Sequence, residues 1–320
     1  MHALIAPLTL LLERWQGYPQ AVLDRIGHPV MWMGALLSWL EGRLYRPGQS
    51  AVVRKTRGIV TMVLLLAVTL LVTVPIQQIL RQIPLGWLLE IVLAAPFLAQ
   101  KELGRAVQAV AGALLTSLEA GREAVSQIVG RDPQQLDTAG VSRAAVETLA
   151  ESTSDGVVAP WFWLVLLGLP GVALYKAINT ADSMIGHHNE RYRDFGWGAA
   201  RLDDLVNLIP ARLTAVLVTI ACFFVSDASP SMAWRAATRD ANKHRSPNSG
   251  WPEAAFAGAL GFSLGGPRSY DGEVVDLPTM GEGTTRLGPY HITRALGLYR
   301  VTLNVLLVAS VLLALSVALA

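Results

Sequence analysis

A single cysteine stands among 320 residues, which rules out a disulfide framework and any CxxC metal or redox site. Cys222 lies within the apolar run Ala215 to Val225, where a thiol is expected to be buried and inert. Charge is scarce as well: 16% of positions are Asp, Glu, Lys or Arg, and 52% are hydrophobic. Soluble domains carry about a quarter charged residues, so the shortage points to membrane residence. The net charge is only +2 and the basic residues are interleaved with acids, which argues against a nucleic-acid partner. The chain has no HExxH, no GxxxxGK[ST] phosphate loop, no GxGxxG after a strand and no GxSxG elbow. These absences argue against a zinc site of the HExxH or CxxC kind, and a nucleotide, if used, needs an unusual site. No internal repeat or low-complexity tract is present.

The hydrophobic content is concentrated in long runs. Ile59 to Ile76 is apolar apart from three Thr, and Val301 to Ala320 carries no charge, so each can cross hydrocarbon. Ala3 to Leu12 lacks a basic n-region and a small-residue cleavage site; it reads as retained and membrane-embedded. Arg43, Arg46, Arg54, Lys55 and Arg57 precede the first strong span, and the positive-inside tendency puts them in the cytoplasm. Leu85 to Ala99 is expected to return across the membrane after a Pro84-Leu85-Gly86 turn, and Leu205 to Val225 forms another span. Val157 to Tyr175 is interrupted by Pro160, Gly168, Pro170 and Gly171, the pattern of a broken or re-entrant helix. The expected fold is all-α: a single polytopic integral membrane domain over residues 1–320, with polar helical regions at about 100–156, 176–204 and 227–300.

The polar stretch from Glu147 to Arg212, set between these runs, carries the chemistry. Lys176 to Asp204 is rich in charge, and each charge costs roughly 2.5–3.5 kcal/mol at a bilayer centre, so it lies outside the bilayer or lines a wet cavity. Glu147, Glu151 and Asp155 are four apart and share a helical stripe that Ser142 could cap. Like charges at that spacing call for a compensating cation, and hard oxygen ligands suit Mg2+. The alternative is a solvated acidic face with Arg143 paired to Glu147. In KAINTADSM, Lys176, Asn179 and Asp182 share a face fit to hold a metal and a phosphate, or else they end a helix in interfacial water. His187 and His188 lack an i, i+4 partner and read as a surface turn. In RDANKHRSPNSGWPE, Lys243, His244 and Arg245 precede a small-residue helix that begins near Gly250 with Pro252 and Glu253 in its first turn. Basic groups beside a helix N-terminus make an anion site; a basic loop at an anionic lipid surface is the competing reading.

These runs resemble the adenosylcobinamide-phosphate synthase family, CbiB/CobD, integral membrane proteins of cobalamin biosynthesis. The matching pieces are IGHPVMWMG (Ile26 to Gly34), GRD (Gly130 to Asp132), ETLAE with DGVVAP (Glu147 to Pro160), KAINTADSMIG (Lys176 to Gly186), NERY, ARLDD and PARL (Asn189 to Leu213) and HRSPNSGWPEAAFAGALG (His244 to Gly261). They cover nearly the whole chain in the family's order. The chain departs from the family at Tyr18, where an Asp is usual, at Pro133 after GRD, and at Ser152 after the AE pair.

The resemblance implies a ligase that joins (R)-1-aminopropan-2-ol phosphate, or its ethanolamine counterpart, to the free propionate of adenosylcobyric acid. ATP and Mg2+ are expected as co-substrate and activator, with the corrinoid as substrate. It also implies a multi-pass inner-membrane protein with a cytoplasmic site. Candidate partners are membrane lipid, other membrane enzymes of nucleotide-loop assembly and a second copy of the chain. From charge type and motif position, the catalytic set is Glu151, Asp155, Asp182, Lys243 and His244. Of these, Glu151, Asp155 and Asp182 are the Mg2+ candidates. Lys176, Asn179, Arg191, Arg212 and Asn248 are expected to bind substrate or phosphate, with His28 as a further candidate. A membrane transporter, or a non-catalytic membrane sensor or scaffold, is the alternative.

Overall fold

A computed structural model describes residues 2–130, 133–187, 189–266, 268–270, 273–275 and 278–320. Arg131 and Asp132 of the GRD motif, and His188, lie outside the described residues. The helices in chain order are α1 (His2–Gln16), α2 (Gln20–Ile26), α3 (Pro29–Leu44), α4 (Ala51–Gln82), α5 (Gly86–Ala94), α6 (Gln100–Thr116), α7 (Leu118–Ser126) and α8 (Thr138–Thr153). A π-helical turn, Ser154–Val158, follows α8. After it come α9 (Ala159–Ile185), α10 (Tyr192–Phe195), α11 (Trp197–Ala221), α12 (Pro230–Asp240), α13 (Gly250–Leu260) and α14 (Pro289–Leu319). Between α13 and α14, β1 (Leu264–Gly265) pairs antiparallel with β4 (Thr279–Met280), and β2 (Arg268–Tyr270) pairs with β3 (Glu273–Val275). The fold is all-α with these two small ribbons added.

Among the described residues, four helical runs are long and apolar enough to cross a membrane: Ala51–Gln82, Thr138–Ile185, Trp197–Phe224 and Pro289–Leu319. In the apolar run of α4, Thr61, Thr69 and Thr73 donate their hydroxyls back to the carbonyls of Arg57, Leu65 and Thr69 at 2.9, 2.8 and 2.7 Å, so none is left unsatisfied in an apolar setting. The expected return crossing over Leu85 to Ala99 is corrected. Its helix, α5, has nine residues, and at about 1.5 Å per residue it cannot span about 30 Å of hydrocarbon. Helix α8 is capped by Asp137, whose Oδ1 accepts from Gly140 N at 2.7 Å. Ser142, expected as the cap, is instead a buried residue inside the helix.

The break expected in the Val157 to Tyr175 run falls at Gly168 (φ 70°, ψ −151°), a conformation open essentially to glycine alone. Pro170 removes a further amide from the ladder. Gln77 of α4 repairs the break: its Oε1 accepts from Leu169 N at 2.9 Å, and a Cβ on Gly168 would stand 2.2 Å from that oxygen.

The chain divides into two compact units. The first comprises Met1–Ala99, Ala159–Asn207 and Ser310–Ala320. Its core is built by α3, α4, α9, α10 and α11 through Leu37, Leu40, Met62, Leu65, Ile178, Ile185 and Phe195. Arg54 forms an ion pair with Asp194, which ties α10 to the start of α4. The polar end of α9 and the basic loop before Ile59 therefore share one end of this unit. Counting every apolar run as a full crossing would have separated them.

The second unit comprises Gln100–Val158 and Leu208–Ala309. Here α6 and α7 form a hairpin on α8, and α12 packs on α13. The α12–α13 approach depends on Gly258, where a Cβ would stand 2.2 Å from the Met232 carbonyl oxygen. Ala236 of α12 and Ala254 of α13 join Met280 in a buried cluster beside that contact.

Candidate functional site

In the second unit the acids of α8 have separate fates. Glu147 is buried; its Oε1 accepts from Gly265 N at 2.7 Å, while Arg143 donates to Gly265 O at 3.3 Å. The two side chains hold opposite ends of one residue's backbone and pin β1 to α8. Arg143 and Glu147 thus meet at Gly265, in place of the direct pair weighed from spacing. Glu151, one turn on, accepts from Ser249 Oγ at 2.7 Å. Asp155 lies in the π turn that follows α8.

The Lys243 to Glu253 run forms the other side of this unit's polar cluster. Lys243 Nζ is 2.8 Å from Asp240 Oδ1 and donates to Thr279 O at 3.3 Å. Asp240 is fully buried and also accepts from Arg239 Nε and Nη2 at 2.8 and 2.6 Å and from Gly281 N at 2.9 Å. Burial alone would raise the pKa of this carboxyl, but the bonds from Arg239, Lys243 and Gly281 outweigh it and hold the group well below the usual carboxylate range. Arg239 also pairs with Glu282.

His244 Nδ1 accepts from Ser246 N at 3.0 Å, so Nε2 carries the proton and lies 3.6 Å from Glu253 Oε1. Glu253 is buried in the first turn of α13, where the helix dipole favours a carboxylate. Asn248 is buried beside it in sequence. The Arg212 guanidinium sits 4.8 Å from the Trp251 ring centroid. Helix α13 begins at Gly250, as the sequence led us to expect.

The first unit carries a second polar cluster on α9 and α11. Asp203 Oδ1 accepts from Asn179 Nδ2 at 3.4 Å and its Oδ2 accepts from Asn207 Nδ2 at 3.0 Å. Because a carboxylate only accepts, both amides turn their NH2 groups toward it and their oxygens away. The Asn179 oxygen then accepts from Lys176 Nζ at 3.3 Å, and the Asn207 oxygen from Tyr175 Oη at 3.0 Å. Asp182 lies one turn beyond Asn179 on α9 and is partly exposed.

The two remaining candidates, also in the first unit, are each engaged. Arg191 donates to Glu41 Oε1 through Nε and Nη2 at 3.1 and 2.7 Å, and its guanidinium lies 5.0 Å from the Tyr45 ring. His28 caps α3: its Nδ1 accepts from Val30 N at 3.2 Å and its ring bonds the Pro96 carbonyl. Burial, reinforced by the nearby Lys176 charge, pushes its pKa down and keeps the imidazole neutral. His187 is exposed beyond the end of α9.

Glu151 and Asp155 thus belong to the second unit and Asp182 to the first. Among the described residues, no group of three or more His, Cys, Asp or Glu is arranged to hold a metal ion. The donor set suits a Mg2+ that takes one or two carboxylates and draws its other ligands from phosphate oxygens and water. Sequence reasoning passed over Ser249, Trp251, Asn207 and Asp240. The Asn207 contact was signalled by its i, i+4 spacing from Asp203, whereas the Asp240 hub depends on Gly281, 41 residues away.

A sequence model of the family described as CobD/Cbib protein matches residues 6–299. A curated relative from Rhodobacter capsulatus, named cobalamin biosynthesis protein CobD, is 48% identical over 89% of this chain and 88% of its own length. Relatives of the same name from Brucella anthropi and Rhizobium meliloti are 49% and 48% identical, each over 87% of this chain and 86% of the relative. No solved structure matches the chain.

Proposed function

We propose, because this chain belongs to the CobD/Cbib family, that it is a cobalamin-biosynthesis enzyme of the membrane: a ligase joining adenosylcobyric acid to (R)-1-aminopropan-2-ol phosphate or ethanolamine phosphate. The observation that carries this reading is the Ser249–Glu151 hydrogen bond, which sets the acidic face of α8 against the start of α13 within one unit. Acids for a metal–nucleotide and bases for phosphate then occupy one polar cluster.

A carboxylate does not condense with an amine in water without activation, and ATP with Mg2+ supplies that activation as a phosphorylated acyl group. What the chain contributes is positioning and charge. Glu151, its carboxylate fixed by Ser249, and Asp155 in the π turn are the residues of this unit that would hold Mg2+. Arg212, steadied on Trp251, and Lys243 and His244 at the approach to α13 offer cationic or N–H groups to phosphate oxygens. Buried Asn248 orients substrate by its amide.

In the first unit the same reading gives Lys176 and Asn179 to a phosphate-bearing substrate and Asp182 to a metal ion, with Arg191 at its rim. His28 serves there as a helix cap whose neutral ring keeps α3 in place. The basic loop at the same end as this cluster supports a cytoplasmic placement.

The test is reconstitution: purified protein in detergent with adenosylcobyric acid, the amine phosphate, ATP and Mg2+, the amide being followed by mass spectrometry. Amide that depends on all four components supports the ligase. Its absence with substrates shown to be competent in another preparation overturns it.

A further inference from the structure

At the basic end of the first unit the cations fall into two groups. Arg54, Arg57 and Arg191 are used internally, by Asp194, by the Leu44 carbonyl at 3.1 Å and by Glu41. Arg43, Arg46 and Lys55 are not: among the described residues none of the three has a carboxylate at ion-pair distance. Two of them lie on tryptophans. The Arg43 guanidinium is 5.1 Å from the Trp39 ring centroid, one helical turn back on α3, and Lys55 Nζ is 3.5 Å from the Trp197 ring at the start of α11.

Both tryptophans reach the surface, Trp39 at 56% and Trp197 at 39% exposure, and Val52, in the first turn of α4, is 74% exposed. The Arg57 bond to Leu44 joins the end of α3 to the start of α4, and the Arg54–Asp194 pair brings in α10 just before Trp197. These residues therefore share the end of the unit from which the α4 span departs.

Exposed apolar side chains next to uncompensated cations are unstable partners for bulk water but suit a bilayer interface. Tryptophan favours the headgroup level, and basic residues there are drawn to anionic lipid. We propose that this end of the unit binds the headgroup of an anionic phospholipid, with Arg43, Arg46 and Lys55 on the phosphate and Trp39 and Trp197 at the boundary with the acyl chains. Charge complementarity selects the anionic lipid over a zwitterionic one. The exposed rings and Val52 select a lipid over a soluble phosphate ester.

The experiment is native mass spectrometry of the detergent-purified full chain, offered phosphatidylglycerol and phosphatidylcholine in equal amounts. The wild type is expected to retain phosphatidylglycerol with a several-fold preference. Arg43→Gln, Arg46→Gln and Lys55→Gln combined should lose that preference, and Arg43→Lys, Arg46→Lys and Lys55→Arg combined should keep it. Equal retention of both lipids by the wild type, or an unchanged preference in the Gln variant, overturns the proposal. Displacement of the lipid by glycerol 3-phosphate at equal concentration also overturns it, by assigning the patch to a free phosphate ester. A photoactivatable phosphatidylglycerol provides a check on the wild type alone. Its adducts should map to peptides holding residues 39–57, and adducts confined elsewhere count against the site.

Discussion

Ser249 Oγ donates to Glu151 Oε1 at 2.7 Å, linking residues 98 positions apart. The acid comes from α8, whose carboxylates recur at four-residue spacing, and the hydroxyl from the turn that opens α13. Neither residue is capped or paired in the way local sequence would suggest: Ser249 precedes α13 yet gives that helix no side-chain cap.

Ser249→Ala tests that bond. A hydrogen bond to a charged group contributes about 1.5–3 kcal/mol. Removing it should lower the melting midpoint and reduce turnover by about tenfold or more, since 1.4 kcal/mol is a factor of ten. Unchanged turnover in a folded variant would show that Glu151 needs no anchoring.

Glu147→Ala should behave differently. It strands the buried Gly265 amide and leaves Arg143 alone to hold that residue through its carbonyl, at a cost of about 1–3 kcal/mol in stability. Turnover per folded molecule should stay close to wild type. A large loss of turnover at normal stability would return Glu147 to the chemistry.

Gly168→Ala should destabilise the first unit. The backbone there is strained for any L side chain, at about 1–3 kcal/mol, and the added Cβ meets Gln77. Adding Gln77→Ala removes one clash, leaves the His2 ring 2.4 Å from the new Cβ and takes away the acceptor for Leu169 N, so the double variant should recover little. Thermal unfolding in detergent measures both, and a wild-type midpoint for Gly168→Ala contradicts the account of the break.

His28 gives a pH dependence. Its cap needs Nδ1 unprotonated, and its folded pKa is lowered by burial and by Lys176. The unfolded chain therefore takes up a proton first, at about pH 6.5. The stability carried by neutral His28 is complete above that pH and declines as pH falls toward the lowered folded value. His28→Asn, which can also cap, should flatten the slope of midpoint against pH below about 6.5. An equally steep slope in the variant would assign it to another group.

Much of this was legible locally. The α4 span, the glycine–proline break and the start of α13 at Gly250 each follow from composition or from a residue whose backbone limits are strong. What escaped was non-local or phase-dependent. The spacing of Glu147, Glu151 and Asp155 assumes one α-helical period, and the π turn Ser154–Val158 that holds Asp155 leaves no mark in that spacing. The pairing of Glu41 with Arg191, 150 residues apart, and the burial of Asp240 beneath Gly281 depend on tertiary packing that spacing cannot encode. Leu85 to Ala99 is apolar enough to span, but its helix stops at Ala94, shortly before Pro96.

The most direct test of the ligase reading is the stoichiometry of one reaction mixture, with amide product and nucleoside diphosphate measured together, and with either the amine phosphate or Mg2+ omitted in parallel. The account predicts about one diphosphate per amide. It also predicts no amide in either omission, and loss of both products with Asp155→Asn. Amide formed without nucleotide consumption, or full turnover by the folded Asp155→Asn protein, would contradict it.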